Sequence, residues 1–301
     1  MSAPNTNRRP DAIGIAGPLT GVRRAHASLL HRACARLRAN GLVPVLLDDQ
    51  ADPATAVKVA DRFVSSGVSA VIGHFNSACA EVTRSIYLDA EIPLLVPASS
   101  KDSLTDLGGV FRLCPKDSEQ ARLLWLCVKG LRPADFEVVV DGSPYSERLL
   151  DRIRHQACTS GSLRVVHVDD APASSVCVRL VLATCQGAIR AHRLMGEAKW
   201  TGRAVFSDDA HIGAFAGLCT DHVGLRSYVV GANGGFEYSV DLACDLVVKA
   251  TADEGTGSIT SWLRNCGLFS KCGELLGASW SLFKLGAGTR RGEWIATTSP
   301  G

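Results

Sequence analysis

From position 12 to about position 215, short apolar runs alternate with longer segments in which apolar residues recur at i, i+3 and i+4. The runs are Ala12–Ala16, Val43–Leu47, Ala70–Gly73, Pro93–Val96, Phe136–Val140, Leu163–Val168, Val178–Ala183 and Ala204–Phe206. Between them, "VRRAHASLLHRACARLRAN" and "PATAVKVADRFVSSG" set charges opposite an apolar stripe, and "SEQARLLWLCVKGL" and "YSERLLDRIRHQAC" repeat the pattern. Strand and helix alternating in this way predict an α/β protein whose parallel sheets are covered by helices on both faces. Ligands of such sheets bind beyond the carboxyl ends of the strands.

Two alternations of four strands, parted near Cys114-Pro115-Lys116, predict two similar Rossmann-like lobes. After "GANGG" (231–235) the pattern changes to helical stretches at Glu237–Ala252 and Ser258–Asn265. Strand-like pieces come next, around Ser281–Leu285 and Trp294–Thr297, a tail of a kind that can cross back to the first lobe. Lobe 1 is placed at 1–117 plus 236–265, and a reduced lobe 2 at 118–235 plus 266–301.

The stretch "SAVIGHFNSACAEV" (69–82) ends a buried strand at Gly73-His74 and opens a helix on small and polar residues. Free N–H groups and the positive end of a helix dipole favour an anion there. Ser77 is either a contact for such an anion or an ordinary helix N-cap. "PASSK" (97–101) puts a carbonyl and two hydroxyls at the next strand end, where Ser99 and Ser100 either cap the next helix or face a ligand. Asp208 and Asp209 come after the strand "AVF" and either meet a cation or cap a helix. His74 reads as a core or strand-end histidine, with a ligand contact as the alternative.

Composition narrows the classes. A hydrophobic content of 46%, 21% charged residues and a net charge of +2 suit a globular protein with a large core. Nothing in that balance recruits nucleic acid or a membrane surface, and no apolar run reaches the ~20 residues of a spanning helix. The eleven cysteines are scattered and form no C-x-x-C pair, so neither a disulfide framework nor a zinc site is signalled. Arg8-Arg9 is not followed by the apolar core of a signal peptide. The expected location is cytoplasmic, or periplasmic if an upstream signal sequence exists. No Walker loop, G-x-G-x-x-G, HExxH or G-x-S-x-G occurs, so no cofactor or metal is expected.

Four separated blocks, "IGIAGPLTG", "LLDDQADPATAVKVADRFVSSGVSAVIGHFNSA", "IPLLVPASSKDSLT" and "VFRLCPKDSEQ", succeed one another in an order and spacing that carry a resemblance. Together they resemble the branched-chain amino-acid (Leu/Ile/Val) binding proteins of ABC transporters, of type I periplasmic-binding-protein fold. The match is dense over residues 13–120 and thinner beyond. The resemblance implies an amino acid held in a cleft between the lobes. Its carboxylate falls to Ser77, and its ammonium to the Ala98 carbonyl, the Ser100 hydroxyl and Asp209, with Asp208 one register step away. It places Tyr145 on a second-lobe loop against the ligand.

The departures matter as well. An aromatic wall of the family lands near Cys185, a first-loop tyrosine lands near His26, and both cysteines of a first-lobe disulfide are replaced, by Ala51 and Asn76. A family helix is missing between Asp170 and Ser175, and another segment around 226–236. The implied role is a cytoplasmic sensor or a transporter-type binding protein for an amino-acid-like small molecule, with a permease or regulatory protein as partner. The alternative is an enzyme of amino-acid-derived metabolism on the same scaffold, using Asp209, Cys185 or His211, the last two as candidate nucleophile and base.

Overall fold

The computed structural model describes residues 11–133, 135–157, 163–171, 176–212, 215, 225–253, 257–285 and 294–297. In chain order the elements are β1 (Ala12–Gly17), α1 (Ala27–Ala39), β2 (Val43–Asp48), α2 (Pro53–Ser65), β3 (Ala70–Ile72), α3 (Ser77–Asp89), β4 (Leu94–Val96) and β5 (Val110–Arg112). Then come α4 (Asp117–Leu131), β6 (Phe136–Val140), α5 (Pro144–Ala157), β7 (Arg164–His167), β8 (Val178–Leu182), α6 (Cys185–Glu197), β9 (Gly202–Phe206) and β10 (Leu225–Ala232). The last four are α7 (Gly235–Ala252), α8 (Ile259–Asn265), β11 (Trp280–Leu285) and β12 (Trp294–Thr297).

The chain divides into two units after Cys114, returns to the first at Phe236 and leaves it again after Gly277. Unit 1 is built on a five-stranded parallel sheet of order β2-β1-β3-β4-β5. The central strands are apolar on both faces because helices cover both, and β3 and β4 are buried throughout. Helix α2 starts where Asp52 accepts the Thr55 N–H at 2.8 Å, with Pro53 in the first position that needs no donor. Its Val59, Ala60 and Phe63 join Val71, Leu94 and Val96 in the core of the unit. Helix α7 is tied to α1 by two forked ion pairs, Arg32–Asp241 and Arg36–Asp245.

Unit 2 carries a seven-stranded sheet of order β12-β11-β10-β9-β8-β6-β7. Strands β6 to β10 run parallel, while β11 and β12 continue the sheet antiparallel. The tail thus adds to the second sheet. Its Trp280 ring joins the core of the unit and donates from Nε1 to the Lys116 carbonyl at 2.8 Å.

Residues 266–277, placed in lobe 2 from the sequence, pack in unit 1. The reason is Arg112, a buried cation at the end of β5 that needs a partner. Glu274 supplies one at 2.7 Å, the Lys101 carbonyl accepts at 2.6 Å, and Gly273 and Leu275 pair with the Arg112 backbone. Two strands were not anticipated. The apolar run of β5 is only Val110-Phe111 before that arginine, and Arg226 and Ser227 interrupt the run of β10. In the link between Asp170 and Ser175, residues 172–175 lie outside the described residues.

Gly73 ends β3 at φ +134°, and a Cβ there would stand 2.0 Å from the Ala16 carbonyl oxygen on β1. Neither the space nor the backbone conformation admits a side chain. Gly73→Ala is expected to cost about 3 kcal/mol or more, read as a lowered urea midpoint with unchanged slope. A loss under about 1 kcal/mol would contradict the close packing described here.

Candidate functional site

In unit 1 the strand order reverses between β1 and β3, so the connections after these strands diverge to opposite sides of the sheet. A parallel sheet binds ligands at such a point, beyond the carboxyl ends of its strands. The backbone leaving β3 there reaches Asn76, which is extended (φ −98°, ψ 128°) and accepts the Ala78 N–H at 2.9 Å through its side chain. Asn76 is therefore the N-cap of α3, and Ser77, the first residue of the helix, is released from that task. Among the described residues the Ser77 hydroxyl has no hydrogen-bond partner, although the residue is only 8% exposed.

The same holds at the neighbouring strand end. Ser99 donates its hydroxyl to the His74 carbonyl at 2.8 Å, which ties the β4 end to the β3 end. Ser100 is 4% exposed, and its hydroxyl has no partner among the described residues. Ala98 is half-buried, and among the described residues no donor reaches its carbonyl. Neither serine caps a helix, since the 3₁₀ turn Asp102–Thr105 begins at Lys101 without a side-chain cap. Three of the five expected residues, Ser77, Ala98 and Ser100, thus lie at adjacent strand ends of one unit with polar groups unspent.

Tyr145 and Asp209 belong to unit 2, and Tyr145 is not on an exposed loop. It lies in the first turn of α5, buried, and its hydroxyl donates to Asp208. Burial and then the nearby Asp208 charge push its phenol well above the ordinary value. Asp208 and Asp209 open a 3₁₀ turn whose N-cap is Ser207, and both are buried. Burial raises Asp208 to about 7, with the Asp209 charge adding to it and the Tyr145 bond opposing.

Two polar residues that were not singled out share this place. The buried Asp117 adds its charge to that of Asp208, and the Oε1 of the buried Gln120 lies 3.4 Å from the Tyr145 hydroxyl. Asp117 opens α4 and looks from sequence like any acid in a first helical turn. Only the fold brings it beside residues some ninety positions on.

The strand order of unit 2 also reverses, between β6 and β8. There Asp141 accepts from the Thr184 N–H and hydroxyl at 2.8 and 2.7 Å and from the Ser143 hydroxyl at 2.6 Å. Burial would raise its pKa, but these bonds outweigh it and hold the carboxyl below its usual value. Cys185 begins α6, buried beside Thr184. His211 is stacked on Phe283 at 4.2 Å between ring centroids, and a Cβ on Gly231 would meet its Nδ1 at 2.1 Å. Burial lowers His211 to about 4, the condition of a core ring. His26 is buried between Phe75 and Phe236, at 6.3 and 6.0 Å between centroids. Among the described residues no group of three or more His, Cys, Asp or Glu is arranged to hold a metal ion.

The sequence pattern described as the receptor family ligand binding region matches residues 31–190, more than half of the chain. The chain belongs to that family. Within it, the chain is 30% identical over 173 residues to the Leu/Ile/Val-binding protein homolog 2 of Brucella abortus (strain 2308), a match covering 52% of this chain and 45% of that protein. It is 30% identical over 153 residues to the Leu/Ile/Val/Thr-binding protein of Salmonella typhimurium, covering 50% and 41%. The chain thus spans about half the length of these relatives.

Among solved structures, the branched-chain amino acid transporter substrate binding protein LivJ of Streptococcus pneumoniae, in complex with isoleucine, superposes with a TM-score of 0.78 at 15% identity. That match covers 96% of this chain and 99% of LivJ. A solute binding protein of R. palustris in complex with 4-hydroxybenzoate gives 0.78 at 11% identity, covering 97% of each. The two units have the type I periplasmic-binding-protein fold, as the resemblance implies, and no helix among the described residues is long and apolar enough to cross a membrane.

Asp208 has a testable consequence. Its folded pKa stands above the ordinary carboxylate value, so its contribution to stability is full below about pH 4 and is lost as pH rises through about 7. His211, held low by burial, works the other way and destabilises as pH falls below about 6.5. Asp208→Asn is expected to raise the ligand-free Tm relative to wild type by about 3 °C or more at pH 8, and by less at pH 5. Equal shifts at both pH values, measured by calorimetry, would contradict the buried, protonated carboxyl.

Proposed function

We propose that this chain binds a small α-amino acid or a close derivative, without chemical conversion. Ser77 and the first-turn N–H groups of α3 take the carboxylate, while the Ala98 carbonyl, the Ser100 hydroxyl and Asp209 take the ammonium. Tyr145 lines the ligand while holding Asp208. The observation that carries this reading is the set of unspent polar groups at two adjacent strand ends of unit 1. The two residues are largely buried while their hydroxyls stay open to solvent, so a ligand entering there finds them free to bond. Carboxylates favour helix N-termini, and charge-assisted bonds in a desolvated site are strong.

The relatives named for Leu, Ile and Val binding support the ligand class. The altered positions Cys185 and His26 argue against assuming leucine, and the neighbour in complex with 4-hydroxybenzoate widens the panel to aromatic acids. Ala51 and Asn76, standing where the resemblance puts a disulfide, support a reducing compartment, and with it a cytoplasmic sensing or sequestering role. A transporter-type role would instead call for a permease as partner.

Isothermal calorimetry and thermal shift against the twenty amino acids and hydroxybenzoates should find saturable binding and a concentration-dependent rise in Tm. Ser77→Ala with Asp209→Asn should weaken it by about 100-fold or more, each lost charge-assisted bond counting for roughly tenfold. Undiminished binding in that double variant would overturn the site. A product found by mass spectrometry and lost in Cys185→Ala would favour the enzyme instead.

A further inference from the structure

Behind the carboxylate station of unit 1 runs a chain of three polar side chains, each fully buried: Asp49, His74 and Tyr87. His74 Nδ1 lies 2.7 Å from Asp49 Oδ2, and its Nε2 lies 3.0 Å from the Tyr87 hydroxyl. The other carboxylate oxygen of Asp49 accepts the Ala51 N–H at 2.9 Å, and the His74 carbonyl accepts from Ser99. The imidazole thus connects the end of β2 with the last turns of α3, while the carbonyl of the same residue ties the β3 end to the β4 end. His74 comes immediately after Gly73 and stands three residues before Ser77.

We infer that the Asp49–His74–Tyr87 chain is the positioning device of this station, locking His74 as the Nδ1–H tautomer so that the backbone from Gly73 to Ser77 presents α3 to the ligand. The direction of the bonds is set by the groups themselves. A carboxylate only accepts, so Nδ1 carries the proton, and Nε2 is left to accept from the phenol. Burial pushes the Tyr87 phenol far up, so it stays a donor across the physiological range. In this arrangement every polar hydrogen of the chain is used, which is the condition for keeping three polar side chains out of water. None of the three touches the ligand in the proposed binding mode. They act through Gly73, Asn76 and Ser99, which separates them from Ser77 and Ser100.

This inference rests on the proposed amino-acid site for its consequence, and the experiment reads the two separately. In ligand-free protein, nitrogen-15 NMR should find His74 protonated on Nδ1 and bare on Nε2. Tyr87→Phe keeps the ring and removes only the phenol. It should speed hydrogen exchange of the Ala78 and Ala80 amides, both bonded to Asn76, by about tenfold, while amides of β6 and β8 are unchanged. Asp49→Asn should abolish the preference for the Nδ1–H tautomer. If wild-type protein binds an amino acid, Tyr87→Phe should raise its Kd by roughly tenfold while Ser77→Ala raises it further. An Nε2–H tautomer in wild type, or unchanged exchange at Ala78 and Ala80 in Tyr87→Phe, would overturn the inference. Failure of every ligand to bind would sink the proposed function and leave the tautomer and exchange results to judge the positioning role.

Discussion

Unit 1 depends on one close approach. Where β3 leaves the sheet, no side-chain carbon fits between Gly73 and the Ala16 carbonyl, so the chain passes against β1 as bare backbone. That passage brings His74 inward, where its ring meets a carboxylate and a phenol, and it sends Asn76 outward at the angle an N-cap needs. Because Asn76 caps α3 by accepting the Ala78 N–H, Ser77 is left with its hydroxyl unspent. The available hydroxyl in this unit is therefore a by-product of how a buried strand is ended.

The two units share a strand order with one reversal but treat that reversal differently. In unit 1 it leaves two hydroxyls and a carbonyl without partners among the described residues. In unit 2, Asp141 closes it by bonding across to Thr184 and Ser143. The polar capacity of unit 2 gathers instead around Tyr145 and Asp208, after β6 and β9, with Asp117 and Gln120 alongside. Burial first, and then the charges of Asp209 and Asp117, let Asp208 hold its proton to near neutrality.

Much of this was legible in the residues. Buried parallel strands announce themselves as apolar runs, and all eight runs read from the sequence lie on strands, with ends differing by a residue or two. The four blocks that carried the resemblance also located the strand ends where Ser77, Ala98 and Ser100 sit. What failed was local ambiguity and distance. Asn76 and Ser77 are both good caps, and only the backbone angles choose between them. The β5 run was too short because a buried arginine interrupts it, and its partner Glu274 lies 162 positions away, which is also why 266–277 was assigned to the wrong unit. The Tyr145–Asp208 bond spans 63 positions, and no spacing rule reaches that far.

The central claim is that the carboxyl ends of β3 and β4 hold the carboxylate and ammonium of one amino acid. A crystal structure of the protein grown with a bound amino acid tests it most directly. The account predicts the ligand carboxylate within hydrogen-bond distance of Ser77 Oγ, and the ammonium within the same reach of the Ala98 carbonyl and Ser100 Oγ. A ligand bound elsewhere, or bound here with its carboxylate turned away from Ser77, would contradict it.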